Sequence, residues 1–174
     1  MLEIMLIKPT MEYANDIMSF RQEVLDENNS FAGCGSLKNC SSADEWIKIL
    51  DKMENEETCP KGVVTSNTYI AVRLSNNKVV GIIDLRHHIN HPILSVWGGH
   101  MGYSVRPSER RKGYAKEMLR QNLKNCKNRG LKKVLITCDY DNVASVKTII
   151  ANGGVFEKEI CVEDNRINRY WILL

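Results

Sequence analysis

The chain has 174 residues, 43% of them hydrophobic and 26% charged, with a formal net charge of +3. That composition suits a soluble globular protein with one sizeable core, and residues 1–174 read as a single domain. The charge is too mild to imply a nucleic-acid partner, and no apolar run is long enough to cross a bilayer.

The apolar run at the start, Met1 to Lys8, is short, carries Glu3 and lacks a cleavage-site pattern. It reads as no signal peptide, and a cytoplasmic location is the expectation. Glu3 to Lys8 reads as a strand stopped by Pro9. From Met11 to Asp26, Ala14, Ile17, Met18, Arg21, Val24 and Leu25 recur at helical spacing, with Thr10 as N-cap. Residues 28–42 are polar and contain Gly33 and Gly35, which predicts a loop. A second helix is expected from Ala43 to Asn55, with Ser42 and Glu45 as a capping box. Thr68 to Leu74 and Lys78 to Arg86 form a predicted hairpin turning at Asn76-Asn77. His87 to Pro92 reads as a loop and Trp97 to Val105 as a strand interrupted by Gly98-Gly99.

The best helical pattern runs from Gly113 to Arg129. Met118, Leu119, Asn122, Leu123 and Cys126 share its inner face, and Gly130 ends it. Lys133 to Cys138 reads as a buried strand and Val143 to Asn152 as a helix. Val155 to Val162 and Arg166 to Leu173 read as a terminal strand pair. Strands mixed with helices in this order predict an α/β (α+β) fold: a mixed, mostly antiparallel sheet of about seven strands with helices on both faces.

Six cysteines, Cys34, Cys40, Cys59, Cys126, Cys138 and Cys161, include no C-x-x-C pair. Free thiols in a reducing compartment are the simpler reading, and no metal site is expected. His87, His88 and His91 cluster at a spacing that fits no standard metal centre.

One stretch carries more chemistry than the rest: Val105 to Ala115, between a predicted strand and the best helix. Gly113 lets backbone approach a ligand or turn sharply. The first amides of the following helix lack intrahelical acceptors and lie at its positive end, which favours an anion. Arg110, Arg111 and Lys112 add formal charge beside them. Together these features describe a pyrophosphate cradle.

Four blocks in order resemble the GNAT superfamily of acyl-CoA N-acyltransferases. They are Gly99-His-Met-Gly-Tyr-Ser-Val105, Arg110-Arg-Lys-Gly-Tyr-Ala115, the strand Val134–Cys138 followed by Asp141-Asn142-x-x-Ser145, and Asn152-Gly-Gly-Val-Phe156. The resemblance is close over residues 68–174 and extends to residues 1–67 only by order of elements. It implies an acetyl-CoA cosubstrate, with pantetheine in a split between the strands ending at Val105 and near Cys138. Backbone at Tyr103, Ser104 and Val105 would bind it as an added strand would. The pyrophosphate would lie on Arg110, Arg111, Lys112, Gly113, Tyr114 and Ala115, and Asn142 and Ser145 would touch the pantetheine or adenine end.

Acetyl transfer to an amine requires deprotonation of the ammonium, a donor for the carbonyl oxygen, and stabilisation of the leaving thiolate. His100, where many members of that family carry Glu, is the first candidate for base, directly or through a water; Asp84 is the second. An N–H near Val105 is the expected oxyanion donor. The position where the family often has a Tyr acid reads Ile149, which leaves Tyr140, Tyr103, a water or no acid at all. Trp46, Trp97 and Trp171 are expected as core or cleft walls.

The leading function is therefore an acetyl-CoA-dependent N-acetyltransferase acting on a primary amine, small molecule or peptide, by direct attack in a ternary complex. A non-catalytic acyl-CoA sensor with the same fold is the alternative. Carboxylates from Asp44 to Glu57 could attract a cationic acceptor or simply form a solvated helix face. No nucleic acid or membrane partner is expected, and the terminal strands could exchange or pair in a homodimer.

Overall fold

The computed structural model describes residues 2–174. Its elements in chain order are β1 (Ile4–Ile7), α1 (Ala14–Asp26), α2 (Ala43–Met53), β2 (Ser66–Arg73), β3 (Lys78–Arg86), β4 (Tyr103–Val105), α3 (Tyr114–Asn128), β5 (Lys133–Asp139), α4 (Val143–Ala151), β6 (Val155–Val162) and β7 (Asn165–Leu173). The seven strands form two sheets, ordered β1-β2-β3-β4 and β5-β7-β6, with antiparallel neighbours throughout. Helices cover both faces, as the sequence predicts.

Strand alternation explains the two cores. Along β3, Ile83 and Leu85 point to one face, where they meet Met118 and Leu119 of α3 and Ile149 of α4. Ile82 points to the other face and meets Ile17 and Phe20 of α1 and Trp46 of α2. Each such fully buried side chain contributes roughly 2 kcal/mol through removal of apolar surface from water. Trp46 also needs a partner for its indole N–H, and donates to the Cys34 carbonyl at 2.8 Å.

The helix starts follow the predicted chemistry with adjustments. Ser42 Oγ accepts the Glu45 N–H at 3.1 Å, but the Glu45 carboxylate reaches back to Ser41 N–H rather than to Ser42. The box is thus one residue wider than expected. Thr10 makes no side-chain cap; a 3-10 turn, Met11–Tyr13, leads into α1 instead. Among the described residues, no helix is long and apolar enough to cross a membrane.

The predicted strand from Trp97 to Val105 is only Tyr103–Val105, and Leu94–Gly98 is a π-helical turn. Arginines stabilise this departure by taking its carbonyls. Arg86 Nη1 donates to Gly98 and Gly99, and Arg169 Nη1 to Ser95 and Val96.

β4 and β5 are therefore edges of different sheets. The segment leading into β4 meets β5 through two hydrogen bonds. His100 N–H donates to the Leu135 carbonyl at 2.8 Å, and Leu135 N–H donates to His100 Nδ1 at 2.9 Å. Beyond that vertex the edges separate into a cleft.

Candidate active site

The cleft encloses about 1180 Å³. That exceeds the usual space for one drug-sized ligand and suits two substrates held together. Its first wall is the free edge of β4. Gly102 and Arg106 bond toward β3, through Asp84 N–H to Gly102 O and Arg106 N–H to Val80 O. Alternation then turns the N–H and C=O groups of Tyr103 and Val105 the other way, toward β5. Ser104 lines the cleft as well, but its backbone belongs to the β3 side and its hydroxyl donates to Ala32 O at 2.7 Å.

That bond fastens the loop 29–33 against β4, and two glycines permit the approach. A Cβ on Gly33 would lie 2.2 Å from the Gly102 carbonyl oxygen. Asn29, Ser30, Ala32 and Gly33 line the cleft as a result. Sequence reading identified this segment only as a loop; its signal was the glycine at 33.

The turn after β4 divides its charges. Arg106 is buried, with Nη2 on Asp16 at 2.6 Å, Nη1 on Glu23 at 3.0 Å and Nε on the Val79 carbonyl. Lys112 points inward to Glu109 at 2.8 Å, where Arg73 and Lys78 also converge. Lys112 first, with the other two cations, holds the Glu109 carboxyl down at about 2. Arg110 and Arg111 line the cleft. Arg111 has φ +60 and Gly113 φ +86, so the backbone coils through two left-handed residues before α3 begins. The unpaired amides of the first turn of α3 then face the cavity at Tyr114, Ala115 and Lys116. Arg110, Arg111, Gly113, Tyr114 and Ala115 thus meet at one end of the cleft, whereas the Lys112 side chain is spent on Glu109.

α4 brings a second helix start to the same space. Asn142 is its N-cap, accepting the Ser145 N–H at 3.1 Å. Ser145 Oγ lies 2.7 Å from Tyr103 Oη, a bond from α4 to β4 across the split. Burial pushes the Tyr103 phenol up to about 12, against the pull of Ser145. Tyr103 therefore stays a neutral hydrogen-bond donor. Cys138 sits beside this pair, its thiol pushed up to about 11 by burial, which suits packing rather than nucleophilic attack.

The opposite face of β5 contributes Thr137 and Asp139, joined by Arg86, Trp97, Gly98, Asn165 and Ile167. Trp97 is the cleft wall among the three tryptophans. Trp46 is core, and Trp171 is half-buried under Lys133 Nζ at 4.5 Å. The sequence offered no reason to join Arg86, Thr137 and Asn165, which lie on three strands.

Tyr103, Ser104, Val105, Arg110, Arg111, Gly113, Tyr114, Ala115, Asn142 and Ser145 thus line one cavity. His100, Asp84 and Tyr140 are outside that lining. His100 is buried; its Nδ1 lone pair is taken by Leu135 N–H, so the neutral ring carries its proton on Nε2. Neither nitrogen is free to accept a proton, and burial pulls its pKa down to about 4. Its place is at the vertex, not as a base. Asp84 is buried with Oδ1 on Gly102 N–H at 2.6 Å and Oδ2 on Arg86 at 3.2 Å. Burial raises its pKa, but both oxygens are engaged in holding β4 and Arg86. Tyr140 is exposed, its ring 3.9 Å under the Arg166 guanidinium. Ile149 is fully buried in the core. The carboxylates of α2 and of Glu54 just after it also lie outside: Asp44 pairs with Lys48, and Asp51 and Glu54 with Lys8.

A family model for the acetyltransferase (GNAT) domain matches residues 4–155. Among solved structures, a microcin C7 self-immunity acetyltransferase in complex with acetyl-CoA and AMP is similar at a TM-score of 0.68 and 16% identity, covering 99% of this chain and 93% of that one. A ribosomal L7/L12 alpha-N-protein acetyltransferase in complex with coenzyme A gives 0.66 and 18%, over 98% and 94%. A spermidine N-acetyltransferase from Vibrio cholerae gives 0.65 and 15%, over 98% and 93%. No curated protein matches the chain. With the family model covering most of its length and the same fold in these structures, the chain belongs to the GNAT acetyltransferase family.

Proposed function

We propose that the protein transfers an acetyl group from acetyl-CoA to a primary amine, with both substrates in the cleft and the amine attacking directly. The observation that carries this reading is the convergence of the β4 edge and two helix N-termini on a cavity large enough for both. Acetyl-CoA supplies an activated thioester; the chain supplies position and charge.

Tyr103 and Val105 offer backbone groups along which an amide-bearing arm can add as a strand. The amides from Arg111 to Lys116, with Arg110 and Arg111, suit a pyrophosphate. The N–H of Val105 is the proposed oxyanion donor. Tyr103, poised by Ser145, is the proposed hydrogen-bond donor to the leaving sulfur, the task that buried Ile149 cannot perform. No near-neutral base is needed if the bound ammonium loses its proton to solvent before it attacks. The rate then rises with pH until the acceptor's own pKa is reached.

The test is calorimetric titration with acetyl-CoA followed by thiol release with a panel of amines. Binding with amine-dependent release supports transfer. Binding without release from any amine would favour the sensor. Tyr103→Phe is expected to lower kcat by about tenfold or more while acetyl-CoA affinity changes little. Equal loss of both would reassign Tyr103 to cofactor binding alone.

A further inference from the structure

The π-helical turn Leu94–Gly98 is held from three directions. Arg86 and Arg169 take its carbonyls, and Thr137 Oγ1 donates to the Trp97 carbonyl. Such turns are rare and concentrate at functional sites. With Ile93 just before it, this one presents apolar side chains to solvent: Ile93, Val96 and Trp97 are 45%, 44% and 41% exposed. A rigidly held apolar patch is a surface prepared for a partner group. Trp97 and Gly98 also line the cleft, so the patch continues into the cavity.

The charge beside it is specific. Thr137, which holds the Trp97 carbonyl, is two residues from Asp139 on the same face of β5. Asp139 is the one carboxylate among the described residues lining the cleft, and it pairs in register with Ile167, which lines it too. On the same side Arg86 is cationic, and its guanidinium is committed to Asp84 and two carbonyls. One ammonium therefore finds one partner here. A second ammonium on the same molecule would meet a cation instead.

We propose that the acceptor is a monoamine carrying an aromatic or branched aliphatic group near its nitrogen. Asp139 holds the ammonium and the Trp97 turn covers the apolar group. The inference rests on the acetyl-transfer reading and adds the acceptor class to it. A free arylalkylamine and the N-terminal residue of a peptide share this chemistry.

The experiment measures thiol release from acetyl-CoA with phenethylamine, phenylalanyl-glycinamide, ethanolamine and spermidine as acceptors. Either aromatic amine should exceed ethanolamine and spermidine by about tenfold or more in kcat/KM, which is about 1.4 kcal/mol or more. Which aromatic amine is preferred identifies the source. Trp97→Ala should remove that advantage through KM, and Trp97→Phe should restore most of it, with acetyl-CoA affinity unchanged by calorimetry. Preference for spermidine, or an aromatic preference indifferent to Trp97, overturns the proposal. So does a protein that binds acetyl-CoA but turns over neither aromatic amine. A protein that binds no acetyl-CoA overturns the reading beneath it instead.

Discussion

The two walls of the cleft are made of different material. The wall from Tyr103 to Lys116 works through backbone: a free strand edge, two left-handed residues and the first amides of α3. The facing wall works through side chains, with Arg86, Trp97, Thr137 and Asn165 arriving from separate segments. A backbone site needs consecutive residues, so it is compact in sequence and tolerant of side-chain change except at glycine. A side-chain site can be assembled from anywhere and altered one residue at a time. The first wall suits the part of a reaction that stays constant, the second the part that varies.

The sharpest test of the backbone wall is Gly113. Aspartate and asparagine have nearly the same shape, and both are strained at φ +86, asparagine less so. Gly113→Asp is expected to abolish acetyl-CoA binding in calorimetry, while Gly113→Asn retains weakened binding. Equal affinities would mean that no anion sits at the start of α3. Next in size is the division of charge within one turn. Arg106→Ala leaves Asp16 and Glu23 without their buried partner and should cost about 3 kcal/mol in urea denaturation. Arg111→Ala should leave stability unchanged and weaken acetyl-CoA binding. If both variants lost only stability, the turn would be wholly structural.

A third comparison concerns the vertex. His100→Ala orphans Leu135 N–H and should cost about 1–3 kcal/mol, whereas His100→Asn keeps an acceptor there and loses less. The folded pKa of His100 lies near 4, below its ordinary value of 6.5. The native state thus resists a proton that the unfolded chain accepts. Its contribution to stability is complete above about pH 6.5 and disappears as pH falls toward 4. His87, also lowered to about 4, adds to the same window, so His100→Asn should flatten the slope only in part. Activity should show no step assignable to His100; a lost inflection in the pH profile of that variant would restore it as base. Smallest of all, Tyr140→Phe should change neither kcat nor KM by as much as about twofold, since an exposed ring over an arginine contributes little.

The contrast between the walls also explains what could be read in advance. Arg110-x-x-Gly113-x-Ala115 could be read as a proposed cradle because it is contiguous and its helix strongly periodic. The place of Ser145 behind Asn142 pointed to the same cavity, which it lines. His100 misled because strand position conveys which residue occupies a slot, not which neighbour claims its lone pair. Leu135, 35 residues away, decided that. The turn at Leu94–Gly98 was hidden for the same reason: the arginines that stabilise it, Arg86 and Arg169, are distant in sequence. Lys112 looked like Arg110 in charge, but the buried Glu109 beside it separates their roles.

The His100–Leu135 contact has a mechanical consequence. Two sheets that meet at a vertex without continuing a ladder behave as the arms of tongs, with one imidazole at the pivot. Such a joint fixes where the arms meet but not how far they spread. Tyr103 and Ser145, reaching across farther out, act as the clasp. The amide of Leu135 is then the natural strain gauge of the protein, and its hydrogen exchange should slow when a ligand grips both arms.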